Sequence, residues 1–274
     1  EGIDAAVDTD TVLVAQGAYY ENLILEKNIT LTSNAIYDDL SEWAEYSVTF
    51  GQYELLNENI EYTVINGSLD TNGDDLQSVI YINSPEGECI EPVIFGFTIT
   101  GGDGTKIQIG VDDNGSPVYE RRGGGFYSNN ALPEIHYNYI HDNNGTELSP
   151  IHSGGGTDID LNERCEGDID LSYNFYRDND AYYGNTLSTN GYAGSIDMSN
   201  SIFDVYNCPE EEVTPVWVDV EEEVEVDFQY SAGDLCSITE DVWVSPDGDD
   251  YLNTGTSESN AFKTIEVALA LIAP

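Results

Sequence analysis

Two short acidic segments carry the residue types that bind calcium in proteins. Oxygen-bearing side chains recur around a glycine in each: Asp70, Asn72, Asp74 and Asp75 in the first, and Asp247, Asp249 and Asn253 in the second. Calcium takes six to eight oxygen ligands, so both segments are candidate Ca²⁺ sites. Position twelve counted from Asp70 is Tyr81, which is not the acidic residue of an EF-hand loop. Both segments could equally be Asx-rich turns.

Catalytic chemistry has weaker support in the sequence. Paired carboxylates such as Asp112-Asp113 and Asp249-Asp250 lie in turn sequences, without the other groups that acid–base catalysis needs. The histidines, His136, His141 and His152, are expected at the surface or in loops. We predict no catalytic residues and lean towards a chain that is not an enzyme.

The charge balance limits the partners of the chain. Its 274 residues include 53 Asp and Glu but only seven Lys and Arg, a net charge of −46. Such a charge repels nucleic acid, anionic membranes and polyuronates, and attracts divalent cations. We therefore expect no nucleic-acid partner. We also expect no membrane insertion, because no segment is apolar over the length that spans a bilayer.

Four cysteines fit an oxidising compartment, and hence an extracellular or cell-surface protein. Cys208 and Cys236 flank a polar segment, and we predict a disulfide between them. Cys89 and Cys165 occupy similar places in repeats that are two steps apart. Two steps of about 4.8 Å exceed the usual Cα–Cα reach of a disulfide, so this pair is predicted to be unpaired unless the 103–120 insertion displaces a repeat.

Internal repeats are the strongest signal of fold. Segments 81–102, 123–143, 154–179 and 184–206 superimpose, with apolar equivalents Ile94, Ile135, Leu171 and Met198. Short alternating strands separated by Gly, Asn and Asp turns predict stacked β-coils, which bury a core only by stacking. Strands are expected near 11–15, 22–25, 29–32, 79–82, 93–99, 134–140, 168–176 and 195–203. The four apolar equivalents should stack inside.

Two polar features of the repeats are interpreted structurally. Asn138 and Asn174 align three residues after the apolar site, and predict an internal asparagine ladder between neighbouring coils. The glycine runs 123–125 and 154–156 predict close packing of coils, since they lack the strand–loop–helix context of a phosphate site.

The first residues point to a family. An Ala-containing helix remnant precedes DTVLVAQGAYYENLIL and KNITLTS, and the repeats contain GGG-F-Y and P-E-I-x-x-N. These motifs resemble the N-terminal cap, first coil and repeats of pectin lyase-like proteins of the secreted bacterial type. The resemblance covers about residues 1–34 and 60–207. It implies an all-β fold, a right-handed, single-stranded parallel β-helix with a short N-terminal cap helix.

The same resemblance argues against the enzymes of that superfamily. Its lyases use a basic residue, usually Arg, near acidic calcium ligands. Of the arginines present, Arg121, Arg122, Arg164 and Arg177, none lies in a lyase motif. The Asn-Thr-Asp, Gly-His-Gly and Arg-Ile-Lys strings of the hydrolases do not occur.

The last residues, 242–274, resemble another beginning of this fold, with a strand, an Asp/Gly loop and a helix. They are interpreted either as the start of a tandem β-helix or as a segment that joins subunits head to tail. In the second interpretation Val242, Trp243 and Val244 add a strand beside Thr11, Val12 and Leu13 of the next copy, and Ile265, Leu269 and Ile272 cover its core.

The predicted organisation has three parts. Residues 1–207 form the β-helix, with insertions at 35–59 and 103–120. Residues 208–241 form an acidic connector, in which two alternating segments (Val216, Val218 and Val220; Val224, Val226 and Phe228) predict a hairpin or edge. Residues 242–274 form the strand–loop–helix extension.

The function expected is a non-catalytic structural or adhesive surface module, stabilised by calcium and joining head to tail into a filament. A carbohydrate-binding module is the first alternative, because six tyrosines of the last repeats could stack on neutral sugars or on one another: Tyr173, Tyr176, Tyr182, Tyr183, Tyr192 and Tyr206. A polysaccharide lyase or hydrolase is the second.

Overall fold

The structure is a computed structural model. It describes residues 2–47, 52–69, 76–112, 114–144, 152–153, 155–160, 165–181, 184–204, 216–218, 223–234, 241–249, 253, 255–265 and 268–269. The description below concerns these residues.

Most of the described strands belong to three parallel sheets, here called sheets I, II and III, which successive strands enter in rotation. After helix α1 (Gly2–Ala5), β1 (Thr11–Val14) begins sheet I, β2 (Gly17–Tyr20) begins sheet II and β3 (Leu23–Leu25) begins sheet III. β4 (Thr30–Ser33) returns to sheet I. A lateral segment (residues 34–62) follows, with a 3₁₀ helix (Asn34–Tyr37), strands β5 (Ala44–Ser47) and β6 (Gln52–Leu55), and helix α2 (Glu58–Glu61).

The rotation then continues as rounds of three strands in the order III, I, II. β7 (Thr63–Asn66) enters sheet II, whereas β8 (Leu76–Gln77) belongs to none of the three parallel sheets. The next rounds are β9 (Ile80–Asn83), β10 (Val93–Phe95) and β11 (Thr98–Thr100); then, after β12 (Gly104–Val111) and β13 (Pro117–Arg122), β14 (Phe126–Asn129), β15 (Glu134–His136) and β16 (Tyr139–His141). After β17 (His152–Ser153) come β18 (Thr157–Asp160), β19 (Ile169–Asp170) and β20 (Phe175–Arg177). The last rounds are β21 (Leu187–Asn190), β22 (Gly194–Asp197) and β23 (Ile202–Phe203), then β24 (Val216–Trp217), β25 (Val224–Asp227) and β26 (Ala232–Gly233).

The core follows the register predicted from the repeats. Ile94 pairs with Ile135, and the pairing of Glu134 with Asp170 and of Asp170 with Asp197 brings Leu171 and Met198 into the same row. All four side chains are fully buried in one apolar cluster. The predicted stacking of these four residues is confirmed.

Four predicted strands are each two strands in the structure. The segments 93–99, 134–140, 168–176 and 195–203 all cross from sheet I to sheet II, at a residue with positive φ: Gly96, Tyr137, Tyr173 and Asn200. A left-handed residue cannot continue a strand, and it turns the chain by a sharp corner. The uninterrupted strands were wrong at Tyr137 and Tyr173 because a tyrosine does not signal this conformation in sequence. Gly96 and Asn200 are residue types that favour it, and their signal was missed.

Buried asparagines bond neighbouring rounds at this corner. The backbone N–H of Phe97 donates to Asn138 Oδ1 at 3.0 Å, and that of Asn138 donates to Asn174 Oδ1 at 3.0 Å. The N–H of Asn174 donates to Ser201 Oγ at 3.1 Å. The predicted ladder is confirmed, and it satisfies backbone groups that no strand pairs.

A second ladder lies at the other end of the sheet II strands. The N–H of Gly102 donates to Asn143 Oδ1 at 3.0 Å, and the N–H of Asn143 donates to Asn179 Oδ1 at 3.2 Å. Both asparagines are buried. The sequence contains the signal, since each follows a residue of the first ladder by five positions, but it was not predicted.

The glycine runs allow close backbone packing, as predicted. A Cβ on Gly124 would lie 2.6 Å from the carbonyl oxygen of Gly155, and a Cβ on Gly125 would lie 2.6 Å from that of Gly156. Real Cβ atoms do not approach backbone oxygen so closely. A side chain at either position would therefore push the rounds apart.

The lateral segment covers the outer side of the sheet I–sheet II corner. β5 and β6 form an antiparallel hairpin, and Trp43 lies edge-on to the ring of Tyr137, with the ring centroids 5.5 Å apart. The backbone N–H of Tyr53 donates to Asp234 Oδ1 at 2.7 Å, and Asp234 pairs with Arg177 at 2.5 Å. The lateral segment follows β4 in the chain and contacts Asp234, which follows β26. It therefore connects an early round to a late one.

Replacing the N-cap residue of helix α2 tests how much the lateral segment contributes to the stability of the fold. Asn57 Oδ1 accepts from the N–H of Ile60 at 3.0 Å, and Asn57→Ala should lower the free energy of unfolding by about 1 kcal/mol in urea denaturation. Asn59→Ala is the control, because it removes exposed side-chain bonds to Asp38 and Gln16 but no cap. Equal losses for the two variants would contradict a capping role for Asn57.

The 103–120 insertion builds a fourth, side sheet. Its strands run in the order β17-β13-β12-β8, with β12 antiparallel to both β13 and β8. The predicted insertion is therefore most of a hairpin, Gly104–Arg122, which extends two residues beyond residue 120 and pairs with strands on both sides.

The alternating segments near residues 216–228 do not form a hairpin together. β24 pairs with β21 in sheet III, and β25 pairs with β22 in sheet I, both in parallel. The predicted hairpin was wrong, because both segments are strands of one further round. The alternative, an edge, agrees with the structure, since β24 and β25 are each the end strand of their sheet within the described residues. The alternation itself is present, with Val224 and Val226 more buried than Glu225 and Asp227.

Cys89 and Cys165 form a disulfide, with a Cα–Cα distance of 5.5 Å. The prediction that they are unpaired was wrong, because the two-step distance holds for strands and not for the connections between them. The middle round joins β14 to β15 through residues 130–133 only, whereas residues 84–92 and 161–168 make longer connections in the rounds on either side. The two longer connections meet beside the short one. Cys208 and Cys236 lie outside the described residues.

Candidate functional site

The beginning of each parallel sheet is a candidate association surface. β1, β2 and β3 are the first strands of sheets I, II and III, and within the described residues each pairs with a strand on one side only. Edge strands present a row of N–H and C=O groups to any further strand. The predicted joining residues Thr11, Val12 and Leu13 are on β1: Leu13 is 48% exposed, and Val12 packs partly against the core.

Helix α1 covers only part of this end. Lys27 Nζ donates to the carbonyls of Ile3, Asp4 and Ala6 at 2.8–3.1 Å, which satisfies the last carbonyls of the helix. Ala6 is buried in the core cluster, but Val7 is exposed. A helix of four residues thus leaves apolar surface beside β1.

The described part of the tail folds on itself. The N–H of Trp243 donates to the carbonyl of Gly255 at 2.8 Å, and the N–H of Ser245 donates to that of Phe262 at 2.8 Å. Since amides alternate sides along an extended segment, those of Val242 and Val244 point away from Phe262. Ile265 and Leu269 are 68% and 67% exposed, and Trp243 is 46% exposed. Ile272 lies outside the described residues.

Of the two candidate calcium segments, only the second has its predicted ligands among the described residues. Asp70, Asn72, Asp74 and Asp75 lie outside the described residues. In the second segment, the N–H of Asp247 donates to Ser245 Oγ at 3.3 Å, and Asn253 Nδ2 donates to the carbonyl of Ala261 at 2.7 Å. Within the described part of the chain, no three His, Cys, Asp or Glu side chains are grouped to hold a metal ion.

The outer face of sheet III holds the only arginine cluster found among the described residues. Arg122 is buried, bonds Glu120, and pairs with Asp160 at 2.7 Å. Arg121 donates to Gln77 Oε1 at 2.8 Å and to the carbonyl of Gly104 at 2.9 Å. Arg177 belongs to the Asp234 contact, and Arg164 lies outside the described residues.

The charge state of Arg122 argues against a role as a base. Burial acts to lower its pKa, but the carboxylates of Asp158, Glu120 and Asp160 outweigh burial, so the pKa of Arg122 lies above its ordinary value. A residue that abstracts a proton must first lose its own, which a raised pKa opposes. Arg122 is therefore a fixed cation that holds three carboxylates together.

The tyrosines of the last rounds divide between the core and the surface. Tyr176 and Tyr192 are fully buried, and burial raises the pKa of Tyr192 to about 12. Tyr173 is partly exposed and stacks on Tyr137, with the ring centroids 4.9 Å apart. Tyr182, Tyr183 and Tyr206 lie outside the described residues. These tyrosines were interpreted as stacking either on neutral sugars or on one another. For Tyr173, stacking on another tyrosine is observed.

Two corner tyrosines, the partly buried Tyr137 and the exposed Tyr230, were not predicted as site residues. Each follows an acidic residue by three positions, Glu134 and Asp227 respectively, as Tyr173 follows Asp170. This spacing was the available signal.

Comparisons with known protein families, with curated proteins and with solved structures find no match. The described part of the chain has no helix long and apolar enough to cross a membrane.

Proposed function

We propose that this chain is a right-handed parallel β-helix that serves outside the cell as a non-catalytic structural or adhesive module and joins further copies head to tail. The handedness rests on a general rule, since connections between parallel strands of one sheet are right-handed in about 98% of cases. The resemblance to secreted pectin lyase-like proteins supports the location, and the Cys89–Cys165 disulfide fits an oxidising compartment.

The observation that carries the proposal is the pair of incomplete surfaces. β1, β2 and β3 each pair on one side within the described residues, and apolar side chains of the first round and of the tail are exposed. In head-to-tail joining, the tail of one copy lies beside β1 of the next, and Ile265, Leu269 and Trp243 cover Leu13 and Val7. Because this contact joins two different surfaces, each copy keeps one surface for a further copy, and repetition gives a filament wherever the rotation between copies does not close a ring.

Charge sets the conditions for joining. A net charge of −46 repels further copies, and salt screens that repulsion over about 10 Å at 0.1 M. Calcium remains part of the proposal, as a ligand of the segment that contains Asp70 and as a bridge between acidic surfaces. A tandem β-helix neighbour would occupy the same surfaces if head-to-tail joining does not occur.

Sedimentation velocity tests the proposal. The weight-average mass of the intact chain should rise with protein concentration and with salt, and a calcium chelator should reduce it. Leu269→Asp should weaken association by about 10- to 100-fold, because it removes a large apolar side chain from the contact and adds a charge.

Val111→Asp is the matched control, since Val111 is exposed on β12 of the side sheet and belongs to neither of the two proposed surfaces. An intact chain that stays monomeric at high concentration, in salt and calcium, would refute head-to-tail joining. Equal weakening by the two variants would refute the role of the tail.

A further inference from the structure

The corner between sheets I and II carries a column of residues with left-handed backbone. Their φ values lie between 55° and 81°, and consecutive members are in consecutive rounds: Gly96, Tyr137, Tyr173, Asn200 and Tyr230. Backbone bonds fix the order, since the N–H of Tyr137 donates to the carbonyl of Tyr173 at 2.9 Å. The N–H of Tyr173 donates to Ser199, and that of Asn200 to Gln229, each at 3.0 Å.

The backbone does not explain the tyrosines of this column. Left-handed φ is favourable for Gly and Asn, which stand at positions 96 and 200, and unfavourable for a bulky side chain. Three tyrosines nevertheless occupy it. Strain kept at a surface position points to a use for the side chain rather than for the backbone.

Two rings of the column stack, and the position after them has no ring. Tyr137 lies 4.9 Å from Tyr173 at an interplanar angle of 17°, and Phe95, a neighbour of the column, packs against Tyr137 at 5.2 Å with its ring tilted by 48°. Asn200 follows in the next round, and Tyr230, which is 78% exposed, in the one after. Tyr173 and Tyr230 are thus separated by two rounds, about 9.6 Å along the sheets.

The space between the positions of Tyr173 and Tyr230, here called the slot, is wide enough for one further ring. A flat ring above Asn200 would lie about 4.8 Å from each tyrosine position, close to the observed spacing of Tyr137 and Tyr173. The electron-rich faces of tyrosine attract the C–H groups of a ring that inserts between them. Tyr173 is 36% exposed, so the slot is open to solvent.

Hydrogen-bond acceptors border the slot. Asp197 and Asp227 are paired in register on β22 and β25, three residues before Asn200 and Tyr230. Asp197 Oδ1 accepts from the N–H of Ser199 at 2.8 Å, and Asp227 Oδ1 accepts from that of Gln229 at 2.9 Å. These bonds hold each carboxylate at the corner and use one of its two oxygens, and a carboxylate accepts through both.

We propose that the slot between Tyr173 and Tyr230 binds one pyranose of a neutral oligosaccharide, with its C–H faces on the two tyrosines and its hydroxyl groups donating to Asp197, Asp227 and Asn200. A ring with hydrogen-bond donors along its edge matches both the stacking position and the acceptors. Acidic sugars are excluded, because the flanking carboxylates and the net charge of −46 repel them. This site is independent of head-to-tail joining.

Calorimetry and ligand-observed NMR with neutral hexasaccharides of glucose, mannose, galactose, xylose and N-acetylglucosamine test the proposal. At least one should bind with a dissociation constant on the order of 0.1–1 mM, and a galacturonate oligomer should not. Tyr230→Ala should weaken binding at least tenfold. Asn200→Tyr keeps both rings and fills the gap, so it should abolish binding, and the left-handed corner accepts tyrosine at three other rounds.

Tyr37→Ala is the matched control, because Tyr37 is 76% exposed but lies in the lateral segment, outside the column. Its binding should equal that of the unaltered chain, and thermal melts should show that all variants fold. The proposal is overturned if no neutral hexasaccharide binds, if Asn200→Tyr binds as well as the unaltered chain, or if Tyr37→Ala loses binding equally. Binding that disappears in about 0.5 M salt would also overturn it, in favour of a cationic ligand.

Discussion

Replacing both Cys89 and Cys165 with serine is expected to lower the free energy of unfolding by about 4–5 kcal/mol. The disulfide joins residues 76 apart in sequence, and closing a loop of that length restricts the unfolded chain strongly. It also connects two rounds that are not neighbours, so it holds the intervening residues 130–133 between its two connections. Urea denaturation of the unaltered chain and the double variant gives the difference.

Reductant provides the control for this prediction. It should destabilise the unaltered chain by about the same 4–5 kcal/mol beyond any effect that it has on the double variant, which lacks this bond. A difference below about 1 kcal/mol would mean that the connections are held together without the disulfide.

The disulfide also shows how far sequence reasoning reaches in this protein. The row of Ile94, Ile135, Leu171 and Met198 was predictable because inward positions recur with fixed chemistry, whatever the length of the connections. The pairing of Cys89 with Cys165 depended on connection lengths, which the repeats do not fix. The two cysteines meet because a short connection lies between two long ones. To compare the lengths of these connections, one must know the exact ends of the strands.

Corners were predictable only where their chemistry is typical. Asn138 and Asn174 revealed a ladder because buried amides recur at one position. Tyr137 and Tyr173, directly before them, gave no sign of left-handed backbone, so strands were drawn through the corner. The proposed association surface, Thr11–Leu13 and the tail, was inferred from the order of elements, and it stays a prediction; Leu13 and Leu269 are exposed in the structure.

Asn174→Ala is expected to lower the free energy of unfolding by about 3–5 kcal/mol, the second large effect. Asn174 is fully buried; its Nδ2 donates to the carbonyls of Ile135 at 2.6 Å and Leu171 at 2.8 Å, and its Oδ1 accepts from the N–H of Asn138 at 3.0 Å. Alanine removes the amide partner of these three backbone groups, although the carbonyl of Leu171 keeps a longer bond from Ser201 Oγ at 3.4 Å. Each buried group left without a partner costs about 1–3 kcal/mol, less than additively.

The variant Asn174→Ser distinguishes the contribution of the side-chain acceptor at this position from that of its N–H donors. Serine occupies the equivalent place at Ser201, where its Oγ accepts from the N–H of Asn174 at 3.1 Å. A serine at 174 should therefore still accept from the N–H of Asn138 but reach fewer carbonyls, and the loss in urea denaturation should fall between zero and that of alanine. Amide hydrogen exchange at Asn138 should stay slow in the serine variant and become faster in the alanine variant, because only the second loses the acceptor. Equal exchange and equal stability in both variants would mean that packing around the side chain, and not its hydrogen bonds, holds this corner.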